Sequence, residues 1–228
     1  MTKNHPNYQA DTTHATGDRQ DYLPAAGRNG LLPFYDAFTR LFGVPAIHRT
    51  LLRHAGLAPG DTVLEIGCGT GNLTILAKDT QPAAEILGTD PDPLALARAQ
   101  RKAKDRTGIR FERGYAQNLP VPDASIDRML SAFMLHHLPT DVKAAAAAEA
   151  LRVLRPGGQL YVVDIGGRMT DADGMAARRM LNNGHVAENL GDGIPRLFRA
   201  AGFDCQEVDS RVHRLIGRVT YYRATRPA

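Results

Sequence analysis

Long apolar runs are missing from this 228-residue chain, because charge or glycine interrupts each one before the ~18 residues that a membrane helix needs. No helical membrane span is expected. The N-terminus, MTKNHPNYQADTTHATGDRQ, lacks the apolar centre of a secretory signal, so a cytoplasmic protein is expected. Cysteine is scarce: Cys68 and Cys205 lie far apart, outside any Cys-x-x-Cys or Cys/His cluster of metal spacing. Both are read as free thiols, and no metal site is expected. Basic runs are absent too. The formal net charge of +4 comes with arginines dispersed through the second half, which fits a solvated surface better than a nucleic-acid groove.

What is present is ordinary for a globular protein, with 43% hydrophobic and 23% charged residues in a length that suits one domain. Residues 1–20 are polar with almost no apolar periodicity and are expected to form a mobile tail. Residues 21–228 are read as a single domain, opened by cap helices over 21–58. There, Leu31, Phe34, Phe38, Leu41 and Phe42, then Ile47 and Leu51, recur at helical spacing, interrupted by Gly43 and Pro45.

After LAPGD, short β-rich runs alternate with helical ones. Strands are expected at Thr62–Ile66, Glu85–Thr89, Ile109–Arg113, Arg128–Ala132 and Gln159–Asp164. Helices are expected near Leu73–Lys78, Pro93–Arg106 and Asp141–Leu154, the last ended by RPGG. Such alternation implies βαβ units and a parallel sheet with helices on both faces. A helix near Asp192–Ala201 then precedes two strand-like runs with no helix between them, so the sheet should end in an antiparallel hairpin. The fold class is therefore α/β, doubly wound and Rossmann-like, with no repeats. Residues 166–192 stand out as an insertion whose mix of Met175, Met180, Leu181, His185 and Asn189 suits a lid.

The stretch VLEIGCGTGNLT, residues 63–74, carries glycines at positions 67, 69 and 71. A dinucleotide loop reads G-x-G-x-x-G, so the third glycine comes one residue early. Strand end, permissive backbone and helix N-terminus still make a ligand loop. Glu65 would repel a pyrophosphate, but it suits a ligand bearing an ammonium group. Asp90 closes the next strand, where a carboxylate can accept both hydroxyls of a ribose; helix capping, its other reading, falls more naturally to Asp92.

VLEIGCGTG, GTDPD, GYAQNLPVPDASID, FMLHHLP and ALRVLRPGGQLYVVD occur in this order and spacing in class I S-adenosylmethionine-dependent methyltransferases. The chain resembles their small-molecule branch, which includes the ubiquinone/menaquinone-biosynthesis enzymes. The resemblance runs from about Leu31 to the C-terminus and is silent on substrate. It implies a seven-stranded sheet, S-adenosyl-L-methionine as cofactor and S-adenosyl-L-homocysteine as product. It further implies that Glu65, Gly67 and Gly69 line the methionine end, Asp90 holds the ribose hydroxyls, and Ala116 and Gln117 flank the adenine, with Gly71 and Pro91 also among the cofactor-binding residues. Ser131 closes the fourth strand beside the sulfonium, and Tyr35 matches a tyrosine lying over the cofactor, with a core aromatic as its other reading. Tyr115 departs from the family's usual Asp.

Methyl transfer needs chiefly an aligned nucleophile. A base is required only for an acceptor that arrives protonated, such as a phenol or an enolisable carbon. Histidine suits that role, and His136, nearer the strand end than His137, is the candidate. Helix capping or a crevice wall is the competing reading of the pair. The expected acceptor is a small molecule, with no nucleic-acid partner and a monomeric or homodimeric chain. A peptide, protein or nucleic-acid acceptor, and a non-catalytic binding protein, stay open as alternatives. A nicotinamide oxidoreductase is disfavoured by the glycine spacing and by Glu65.

Overall fold

The computed structural model describes Thr39 and residues 41–228, the His185 side chain excepted. The tail 1–20 and most of the first cap helix, Tyr35 included, lie outside the described residues. Among the described residues no helix is long and apolar enough to cross a membrane.

Gly43 (φ 68°) interrupts the helical run as expected: Thr39 and Leu41 are helical, Phe42 and Gly43 form a turn, and α1 then spans Val44–Ala55, with Pro45 in its first turn, where a missing N–H costs nothing. Gly56 (φ 53°) ends it by returning its N–H to the Leu52 carbonyl at 3.0 Å. One stripe of α1, with Ile47, Leu51, Leu52 and Ala55, is buried against Val63, Leu73, Tyr161 and Val163.

Eight elements follow, strand alternating with helix except that β4 comes directly after β3: β1 (Thr62–Ile66), α2 (Asn72–Thr80), β2 (Glu85–Asp90), α3 (Pro93–Ala103), β3 (Ile109–Arg113), β4 (Ile126–Ala132), α4 (Thr140–Val153) and β5 (Leu154–Ile165). Then come α5 (Met175–Leu181), α6 (Gly184–Ala187), α7 (Gly193–Ala200), β6 (Asp204–His213) and β7 (Gly217–Thr225). The sheet order is β3-β2-β1-β4-β5-β7-β6. Strands β1 to β5 pair in parallel, and β7 inserts antiparallel between β5 and β6. Six strands therefore share one direction, as expected for a doubly wound fold whose sheet ends in a hairpin. The order reverses between β1 and β4, and at that switch point α/β sheets open a crevice beyond their carboxyl ends. Helices α1 and α2 cover one face, while Ala147 and Ala150 of α4 with Ile194 and Phe198 of α7 cover the other.

Strand β4 starts two residues before the expected Arg128, and β5 starts already at Leu154. The register jumps from Ile126↔Leu154 to Arg128↔Gln159. RPGG therefore does not end α4, which stops at Val153, but lies inside β5 and bulges out of it, with Gly157 at φ 76°.

The early third glycine has a packing reason. Gly71 sits at φ 75° as the N-cap of α2. A Cβ there would meet Ala99 of α3 at 2.8 Å and the Phe111 ring of β3 at 2.9 Å. Close helix–strand packing is the job of the third glycine in dinucleotide loops as well, here done one residue sooner. Gly71→Ala is expected to cost about 1–3 kcal/mol through overpacking and left-handed strain, read as a lower urea midpoint at unchanged slope.

Candidate cofactor and acceptor site

The carboxyl edge of the sheet gathers most of the residues singled out by sequence. Glu65 lies in β1 at the sheet centre, opposite Gly88 of β2 and Leu130 of β4. After Ile66 the chain turns through Gly67 (φ 70°), Gly69 (φ 51°) and Gly71, which is why glycine recurs at alternate positions. The turn is closed by the Gly71 N–H on the Cys68 carbonyl at 2.8 Å and tied to β2 by the Cys68 N–H on the Thr89 carbonyl at 3.0 Å. A Cβ on Gly67 would fall 2.4 Å from Met134 Cγ, so the Met134 side chain lies directly over that glycine.

Asp90 is buried and accepts two backbone N–H groups, from Gly69 at 2.8 Å and from Asp92 at 2.9 Å. A carboxylate offers about four lone-pair sites, so each oxygen keeps one for a further donor. Asp92 does cap α3: its Oδ1 accepts from Leu94 at 2.8 Å and Ala95 at 3.3 Å. Its Oδ2 is buried without a hydrogen-bond partner, as is Ser131 Oγ at the end of β4. Pro91 is half-buried between the two aspartates. Ala116 and Gln117 form the tip of a turn closed by the Asn118 N–H on the Tyr115 carbonyl at 2.9 Å, and the Gly114 N–H ties that turn to the Asp90 carbonyl at 3.3 Å. The Tyr115 ring has the Arg113 guanidinium 6.0 Å from its centroid, and Arg113 donates to its hydroxyl at 3.3 Å.

Glu65, only 3% exposed, accepts a hydrogen bond from the Thr74 hydroxyl. Burial pushes its carboxyl up to about 8; the Thr74 bond opposes the rise and the charge of Asp90 adds to it. Asp90 is raised as well, first by burial, against the pull of its two backbone bonds. Three buried carboxylates around a glycine turn form a site that favours a cationic, hydroxyl-bearing ligand over a phosphate. On donor set and unpartnered oxygens, the residues fit S-adenosylmethionine.

On the other side of the β1/β4 switch, a one-turn 3₁₀ helix, Leu135–His137, follows β4. His136 Nδ1 lies 2.6 Å from Asp164 Oδ1, near the end of β5. Asp164 is fully buried, and it also accepts the N–H groups of Leu135 at 2.9 Å and Ile165 at 2.7 Å. Burial disfavours a charged His136 ring, but the Asp164 charge and hydrogen bond outweigh it, with Lys143 opposing them, and the net shift is upward from 6.5. The bond fixes the Nδ1–H tautomer, which leaves Nε2 as the basic nitrogen. His137 is exposed, with its ring 4.0 Å from that of His136.

Asp164 and Lys143 escaped the sequence reading. Asp164 had a signal, a lone carboxylate ending the apolar strand YVVD. Lys143 had none, since it reads as a solvated helix residue in VKAAAAAEA. It is buried because the insertion folds back over it, with Glu188 at 3.0 Å and Asn189 at 3.1 Å from its Nζ.

Residues 63–158 match the methyltransferase domain family. The demethylmenaquinone methyltransferase of Deinococcus radiodurans is 36% identical over 162 residues, which cover 68% of this chain and 66% of that one, just under two thirds of the relative's length. Among solved structures, an S-adenosylmethionine-dependent methyltransferase from Aquifex aeolicus superposes with TM-score 0.60 at 18% identity, over 78% of this chain and 89% of that one. The [4+2]-cyclase SpnF does so with TM-score 0.64 at 21% identity, over 81% of each. The matched residues 63–158 belong to the methyltransferase domain family, and the mixed seven-stranded sheet with its glycine turn after β1 gives that domain the class I, S-adenosylmethionine-dependent form. Within it, the chain resembles the quinone-biosynthesis enzymes.

Replacing Asp164 by Asn should drop the His136 pKa from above 6.5 to below it, because burial then acts without its counterweight. Following the ring Cε1–H resonance against pH checks this.

Proposed function

We propose that the protein transfers the methyl group of S-adenosylmethionine to a small-molecule acceptor and releases S-adenosylhomocysteine. The observation that carries this reading is the Asp90 carboxylate, fixed by Gly69 and Asp92 with lone pairs to spare, next to the buried Glu65. The likeness to SpnF shows why fold alone is not enough, since one architecture hosts different reactions. Support for methyl transfer comes from the carboxylate-lined glycine turn and from the quinone-methylating relative.

When bound, S-adenosylmethionine supplies an electrophilic methyl on a sulfonium. Glu65 would pair with its ammonium, Gly67 and Gly69 would admit it to the backbone, and Asp90 with Pro91 would hold its ribose. Ala116 and Gln117 would bound the adenine, Ser131 would lie beside the sulfur, and Tyr35 would cover the cofactor. Gly71 acts on this reading through the shape of the turn, since its Cα is packed on Ala99 and Phe111. His136, held by Asp164, would take the acceptor's proton at Nε2. The insertion 166–192 and the N-terminal cap would select the acceptor, within a single domain over 21–228.

Calorimetry tests the cofactor half. Asp90→Ala should weaken S-adenosylhomocysteine binding by about 1.5–3 kcal/mol or more. A Glu65 carboxyl near 8 is mostly protonated at neutral pH; an ammonium partner lowers that value, so binding should release a proton, seen as a heat that varies with the buffer's ionisation enthalpy. Glu65→Gln should abolish the release. The acceptor half is read from rates. With a phenolic acceptor, turnover should rise with pH through a limb above 6.5, as His136 loses its proton. His136→Ala should remove that limb and slow the reaction by about 10²–10⁴-fold; full turnover would refute the base and leave orientation alone.

A further inference from the structure

Beyond the end of β5, the carboxyl edge of the sheet carries two surface features that the site above does not use. One is apolar. Of the five large apolar side chains exposed among the described residues, four lie on segments that meet at the turn joining β6 to β7: Leu41 (78% exposed), Met175 (86%), Val212 (49%) and Leu215 (55%). Three separate chain segments meet there. Ile216 packs with Ala177 and Val186, and a Cβ on Gly217 would touch Ala177 Cα at 3.4 Å, which seats α5 on the turn. A Cβ on Gly43 would lie 3.4 Å from His213 Nε2, which brings Leu41 to the same corner.

The other feature is charge. Segments 168–179 and 211–218 hold six arginines against Asp171 and Asp173, and with Asp209 beside Arg211 the corner carries a formal +3. Asp173 is occupied by Arg218 at 2.6 Å, and Arg211 is held by Asp209 at 2.9 Å. Arg168, Arg178, Arg179 and Arg214, on the same two segments, are exposed.

We propose that this corner docks on an anionic bilayer surface, with the exposed apolar side chains entering the headgroup boundary and the arginines lying on lipid phosphates. Charge complementarity selects this occupant. A nucleic acid would satisfy the arginines but leave Met175 and Leu215 in water, and a second copy would bring two patches of like charge together. The turn lies on the edge where the crevice opens, so an apolar acceptor dissolved in the bilayer would be delivered at the site; that consequence rests on the proposed reaction, whereas the docking does not.

Flotation of the full chain with phosphatidylcholine vesicles, with and without phosphatidylglycerol and with no cofactor or acceptor present, tests the docking. Binding is expected only with phosphatidylglycerol, and it should weaken as salt rises. Arg179→Gln with Arg214→Gln should lower the partition coefficient on the order of 25-fold, about fivefold per arginine. Met175→Gln with Leu215→Gln should lower it severalfold at unchanged net charge. Arg101→Gln with Lys104→Gln removes the same charge from exposed positions at the far end of α3 and should change it little. Unchanged melting temperatures certify the folds. The proposal is overturned if anionic vesicles do not retain the chain, if the α3 pair weakens binding as much as the corner pair, or if the apolar pair has no effect. It is equally overturned if sedimentation shows the apolar pair dissolving a dimer instead.

Discussion

One buried carboxylate joins the parts of the ligand edge. Asp90 takes the Gly69 N–H with one oxygen and the Asp92 N–H with the other, and its own carbonyl receives the Gly114 N–H. The glycine turn, the start of α3 and the turn after β3 therefore share a single anchor at the end of β2. A charged group so deep is tolerable only because its hydrogen bonds are made. Asp92 extends the arrangement by capping α3 with one oxygen while leaving the other buried and unpartnered.

The same burial makes the site electrostatically unfinished. Glu65, Asp90 and Asp92 crowd into low dielectric, and Glu65 responds by holding its proton up to about 8. Lys102 is near, but its Nζ is engaged by the Thr70 carbonyl at 2.9 Å and by Asn72 Oδ1 at 2.5 Å. A cationic ligand with hydroxyl donors would complete what the folded chain leaves open.

Across the switch point, the acceptor side is built from pieces distant in sequence. Asp164 orients His136 from the neighbouring strand, and Lys143 links that corner to Glu188 and Asn189 of the insertion. Arg218 pins the insertion from the other side through Asp173 at 2.6 Å, and the Thr220 hydroxyl bonds the Gly166 carbonyl at 3.0 Å. Changes in the insertion can therefore reach the histidine without touching it, because Lys143 carries charge between them.

Local signals were legible wherever one element supplies the physics. Periodicity alone placed β1 at Thr62–Ile66 and β3 at Ile109–Arg113, and it put the start of α3 at Pro93. Glycine at 67, 69 and 71 announced a turn because only glycine adopts three left-handed conformations without strain. By itself the sequence determined the alternation of strands and helices, the glycine turn, and the carboxylates bordering it. Only tertiary structure decided that Gly71 serves packing, that Asp164 faces His136, that Lys143 is buried, and that dispersed arginines converge on one corner with exposed methionine and leucine. The reason is range: backbone conformation is set by neighbours a few residues away, whereas these pairings span 28 to 46 positions and exist only once the sheet has ordered its strands.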